Sequence, residues 1–107
     1  MAELEPSKAH NLKDLLDYAP GAVVSRTIKK SKTVTITIFS FDKGQELSEH
    51  TTPYDAFVLV LDGDVHLVIG GKEVIVKTGE IVLMPANIPH AVIADKRFKM
   101  LLIMIKN

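Results

Sequence analysis

The chain has 107 residues, 13 basic and 13 acidic side chains, four histidines and no cysteine. Zero formal charge argues against a general nucleic-acid binder, which needs surplus cations facing phosphates. The lack of cysteine excludes disulfides, thiolate nucleophiles and thiolate-held zinc or iron–sulfur centres.

This length suits one domain, which buries roughly two-thirds of the surface its unfolded chain exposes. Hydrophobic residues make up 47% of the chain while aromatics are only 6%, so the core has to be aliphatic. The opening "MAELEPSKAH" is mixed in charge and lacks the apolar centre of a signal peptide. No apolar run approaches the ~20 residues of a membrane span. These features predict a soluble, cytoplasmic protein without a membrane or nucleic-acid partner.

"NLKDLLDYAPG" (11–21) predicts one short helix, with Asn11 as its cap, Leu12, Leu15 and Leu16 on one face, and Pro20-Gly21 as the stop. "SRTIKKSK" (25–32) is a small basic cluster, read as a solvated hairpin. "TVTITIFSF" (33–41) alternates β-branched and aromatic residues and ends at Asp42-Lys43-Gly44. "AFVLVL" (56–61) closes at Asp62-Gly63. "DVHLVI" (64–69) and "KEVIVK" (72–77) flank Gly70-Gly71, a two-residue turn in which glycine accepts positive φ. "EIVLM" (80–84), "HAVIA" (90–94) and "FKMLLIMI" (98–105) complete a series of short strands. Such spacing predicts an all-β sandwich or barrel. Residues 1–32 are read as tail, short helix and first strand, and 33–107 as the barrel, one domain overall. Because "AFVLVL" and "MLLIMI" are apolar on both faces, the outer face needs the N-terminal segment or a second subunit. A homodimer is therefore expected.

Two spacings carry a resemblance. Gly44, five residues, His50, then Gly63 resembles the first motif of the cupin superfamily. Gly79, five residues, Pro85, then His90 resembles the second, with the Gly-Gly hairpin between them. The resemblance spans about residues 33–105 and implies the cupin double-stranded β-helix, a jelly-roll barrel with one short N-terminal helix, of the RmlC-like, small single-domain kind. Asn87 stands where cupins usually have glycine, and asparagine tolerates the same left-handed backbone.

The resemblance also implies a ligand set, from which this chain departs. Metal-binding cupins usually carry a second histidine where this chain has Thr52, and a glutamate where it has Ala56. His50 and His90 remain, two of four ligands. A threonine hydroxyl is a poor ligand and alanine is none, so iron, manganese, nickel or zinc would be held weakly. Asp55 replaces the missing carboxylate only if a bulge beside Pro53 turns it inward, because neighbouring strand residues face opposite ways.

The expected ligand pocket comprises His50, Thr52, Tyr54, Asp55, Ala56, Val58, Val60, Leu83 and His90, with His50 and His90 as polar anchors among aliphatic side chains. The bland alternative is a pair of hydrogen-bonded imidazoles without a ligand. His66 alternates with Val65, Leu67 and Ile69 and reads as a surface or interface histidine. The leading functional reading is a metal-independent or weakly metal-dependent barrel that binds a small molecule. An enzyme of dioxygenase or isomerase type, acting on a small acid, sugar or polyketide-like compound, is an alternative. A dimeric regulatory or interaction module is another.

Overall fold

A computed structural model describes residues 4–106. Among them a 3₁₀ turn (Leu12–Asp14) precedes nine strands: β1 (Val23–Lys30), β2 (Val34–Phe41), β3 (Glu46–His50), β4 (Asp55–Asp62), β5 (Asp64–Ile69), β6 (Lys72–Lys77), β7 (Ile81–Met84), β8 (His90–Ile93) and β9 (Phe98–Ile105). They form a five-stranded sheet in the order β1-β2-β9-β4-β7 and a four-stranded sheet in the order β3-β8-β5-β6. Every pairing is antiparallel. This is the all-β architecture that the strand spacing predicts, in the jelly-roll form that the cupin resemblance implies.

Alternation decides what lies between the sheets. In β4, Ala56, Val58 and Val60 are buried, and they meet Val65, Leu67, Val92, Phe98 and Met100 in the main core. Phe41 and Phe98 stack with ring centroids 4.7 Å apart, an arrangement worth about 0.5–1.5 kcal/mol beyond the area it buries. The opposite faces of the same strands form a second cluster around Ile28, Ile38 and Leu101, joined by Leu59, Leu61 and Ile103.

Leu4, Leu12, Leu15 and Leu16 pack onto this outer cluster, so the N-terminal segment covers part of the second apolar face. The segment does so as a strap. The helix predicted for 11–21 is reduced to one 3₁₀ turn, and the Asn11 side chain makes no capping bond. Lys99 Nζ donates to the Lys13 carbonyl at 2.6 Å, Arg26 Nη1 to the Leu15 carbonyl at 3.3 Å and Ser40 Oγ to the Asp17 carbonyl at 3.0 Å. A helix needs its carbonyls for its own amides; here alternate carbonyls go to the sheet. The Tyr18 hydroxyl adds a 2.6 Å bond to Asp62 Oδ2.

Two strands have a weak sequence signal. β3, "ELSEH", is polar at every position except Leu47, yet it pairs with β8 and forms an edge of the four-stranded sheet. β1 contains the basic cluster and pairs with β2, with a register shift between Thr27 and Lys29. No helix among the described residues is long and apolar enough to cross a membrane.

Candidate functional site

β3 and β8 place two histidines side by side. His50 pairs in register with His90 after a shift in β3 between Leu47 and His50. The loop before His90 is fixed from two sides. Asn87 adopts φ +66 and donates its amide to the Thr52 carbonyl at 2.7 Å, and Asp55 Oδ1 accepts the Ala86 amide at 2.8 Å. His90 is 5% exposed, whereas His50 is open to solvent.

The Nε2 atoms of the two rings lie 3.0 Å apart, with the rings edge to face. Each Nδ1 faces a backbone carbonyl: His50 that of Ser48 at 2.8 Å, His90 that of Ile88 at 3.3 Å. Three N–H groups would satisfy these three contacts, and two neutral imidazoles supply two. The carbonyl of Ser48 can only accept, so the 2.8 Å contact puts the hydrogen of His50 on Nδ1. Its bare Nε2 then accepts from His90 Nε2–H, and the 3.3 Å approach to Ile88 is the contact forgone. Burial, and then the neighbouring His50 charge, hold His90 below the ordinary imidazole value, with the Ile88 carbonyl pulling the other way. In this arrangement the pair forms a hydrogen-bonded chain from His90 through His50 to the Ser48 carbonyl.

Ala56, 2% exposed, points into the barrel in register with Met84 and Met104 on its two neighbouring strands. Thr52 is committed locally: its Oγ1 donates to the Tyr54 carbonyl at 3.1 Å and accepts the Tyr54 amide at 3.3 Å. Tyr54 is half-buried beside it. Asp55 points outward, held by the Ala86 amide, as alternation about Ala56 requires. Val58 and Val60 are inside the packed core at 0% and 1% exposure, so they do not line an opening. Leu83 does not join the group. It pairs with Phe57 on the outer face and is 43% exposed, because Val82 and Met84 take the inward positions of β7. Three surface cavities are lined by residues of the strap, by the Tyr18–Arg97 region and by the His66 region; none of the three is lined by His50 or His90. The histidine pair is favoured here because it brings chemistry together, whereas the larger hollows are surface grooves.

Two imidazole nitrogens about 2.1 Å from one ion at a right angle stand about 3.0 Å apart, so the spacing suits two adjacent ligands. The carbonyl behind each Nδ1 is also the usual support of a ligating histidine. The set stops there. Among the described residues no group of three His, Cys, Asp or Glu converges, and Thr52, Ala56 and Asp55 supply no third donor. These residues do not fit a firmly held metal. The carbonyls of Ser48 and Ile88 escape sequence reasoning, because any residue carries a carbonyl.

Two antiparallel sheets closing on a histidine from each motif define a small jelly-roll barrel of the cupin type. The model of the Cupin domain family matches residues 37–106, and the chain belongs to the cupin family. Among solved structures, it is similar to a conserved protein of unknown function from Streptococcus pyogenes, at 36% identity and TM-score 0.93, with 98% of this chain and 92% of that one covered. It is 45% identical to a cupin 2 conserved barrel domain protein from Leptotrichia buccalis, with TM-score 0.88 over 91% of this chain; it spans 47% of that longer protein. A cupin superfamily protein from Desulfitobacterium hafniense is 27% identical, with TM-score 0.91 and coverage of 98% and 96%. No curated protein matches.

Proposed function

We propose that the barrel mouth binds a small organic molecule through His50 and His90, with metal playing no part or a weak one. The observation that carries this reading is the 3.0 Å approach of two imidazoles from distant parts of the chain. Met84 and Met104 flank Ala56 in register, and methionine side chains adapt to irregular shapes. Recognition would use His50, which is accessible, while His90 sets its orientation.

A thermal-shift panel of small carboxylates, sugars and aromatic acids tests the reading, run on wild type and on the His50→Ala/His90→Ala pair. At least one compound stabilises the wild type, and the double substitution abolishes that shift; a shift that survives it removes the pocket role. The same 3.0 Å spacing favours a second reading, a metal-assisted enzyme of dioxygenase or isomerase type. Stoichiometric iron, manganese, nickel or zinc in protein purified without an affinity tag would overturn the metal-independent reading. We also propose that the chain forms a homodimer, because Ile81 and Leu83 remain exposed on the outer face.

A further inference from the structure

The outward face of the four-stranded sheet carries a pattern that the histidine pair does not use. Register places Ile93 of β8, His66 of β5 and Ile75 of β6 in one row, with Glu46 of β3 at its end. Ala91, Val68 and Glu73 form the next row. Among the described residues no third layer of strands lies over this face, and Ile75 is 53% exposed. An antiparallel sheet with one solvated face ordinarily turns polar side chains outward. Here the middle of that face is aliphatic.

Charge surrounds the aliphatic middle. His66 Nδ1 lies 3.4 Å from Asp95 Oδ2, and its Nε2 lies 3.5 Å from Glu73 Oε1. That Nε2 is buried and makes no hydrogen bond, so the Glu73 carboxylate comes close without aligned hydrogen-bond geometry. A cavity of about 160 Å³ opens beside the ring, walled by Asp64, Val65, Ile75, Asp95 and Lys96. Around the face stand four carboxylates (Glu46, Asp64, Glu73 and Asp95) against the ammonium groups of Lys77 and Lys96, an excess of two negative charges.

We propose that this face docks a basic segment of another protein, in which arginine or lysine stands next to aliphatic residues. The cavity accepts one cationic head between Asp64 and Asp95, its stem against Ile75. The row from Ile93 to Ile75 crosses three strands, roughly 10 Å at the usual strand spacing, which is wider than the cavity and calls for a polypeptide. Complementary charge sets the partner's sign and steers its approach. The chain's own basic tip, Lys29 to Lys32, is a poor occupant, since Ile28 beside it is buried at 7% exposure and offers no aliphatic contact.

The test uses a short capped peptide alternating arginine with leucine or serine, and a control peptide with glutamate in place of arginine. Binding is followed by fluorescence anisotropy and by amide shifts of the ¹⁵N-labelled full chain. The basic peptide binds and moves amides within 64–68, 73–77 and 91–96, while the acidic peptide does not. Raising salt from about 0.05 to about 0.3 M weakens binding about tenfold. Ile75→Ser, and separately Asp95→Asn with Asp64→Asn, weaken it at least about fivefold, whereas Asp14→Asn with Asp17→Asn on the strap leaves it unchanged. These positions are exposed, so the variants fold. Shifts mapping elsewhere, equal loss in the strap control, no binding by the basic peptide, or this face being occupied by a second copy of the chain would each overturn the proposal.

Discussion

Gly63 closes β4 at φ +78, and a methyl group there would sit 2.7 Å from the Arg97 carbonyl oxygen. Gly71 has a similar φ of +81 but nothing within 4 Å. Both alanine variants incur the left-handed penalty of about 1–2 kcal/mol; only Gly63→Ala must also displace backbone, adding about 1–3 kcal/mol. Denaturant midpoints should therefore fall much further for Gly63→Ala, and equal shifts would mean that the β4–β5 turn yields easily. Tyr18 is a second test. Burial, then its bond to the Asp62 carboxylate, pushes the phenol well above its usual range, with Arg97 pulling the other way. A raised folded-state value means that this stability is fully present below the unfolded phenol value of about 10 and is lost as pH rises toward the folded one. Tyr18→Phe should cost about 1 kcal/mol at neutral pH, the usual worth of one partly exposed hydrogen bond. Urea titrations from pH 7 to 11 should then show the difference from wild type shrinking above about pH 10. A difference constant across that range would deny the phenol any such role.

The strap owes its course to three side chains of the sheet, and each is a point of attack. Ser40 is fully buried and donates to the Asp17 carbonyl. Ser40→Ala leaves that carbonyl without its partner and should cost about 1 kcal/mol. Amide exchange should quicken in residues 12–20 while the β4–β9 pairing stays protected; uniform loss of protection would mean that strap and sheet open as one unit. The same element marks where sequence reading stops. Leucines at 12, 15 and 16 have helical spacing, and they do bury one side. The competitors for their carbonyls, Arg26, Ser40 and Lys99, lie on three different strands and leave no local trace. β3 was hidden for a related reason: as a polar edge strand it buries only Leu47 and carries no run of β-branched residues. By contrast, clean alternation with glycine ends made β5, β6 and the hairpin between them legible. The motif spacings led to His50 and His90. They did not lead to the outward turn of Leu83, which depends on whether position 81 or 82 faces inward.

The proposed dimer rests on what the strap leaves uncovered. The strap's leucines pack onto the cluster around Ile28, Ile38 and Leu101, while Ile81 stays 57% and Leu83 43% exposed. Both lie on β7, the end strand of the five-stranded sheet, and their register partners Leu59 and Phe57 extend the apolar surface inward. An end strand with exposed aliphatic residues invites pairing unless charge or proline blunts it, and β7 has neither within Ile81–Met84. An antiparallel strand set against its own copy across a twofold axis presents the same residues on both sides, so one patch suffices for a closed dimer. Zero formal charge adds little repulsion between copies. Light scattering at micromolar concentration should therefore give twice the chain mass. Ile81→Glu with Leu83→Glu should give the single mass, since two carboxylates per chain would have to be desolvated at the contact. Because both side chains point away from the main core, thermal unfolding of the dilute variant should stay close to that of dilute wild type. A wild type that is monomeric at those concentrations, or a charged variant that still dimerises, would show that β7 is not the contact and that the strap already completes the fold.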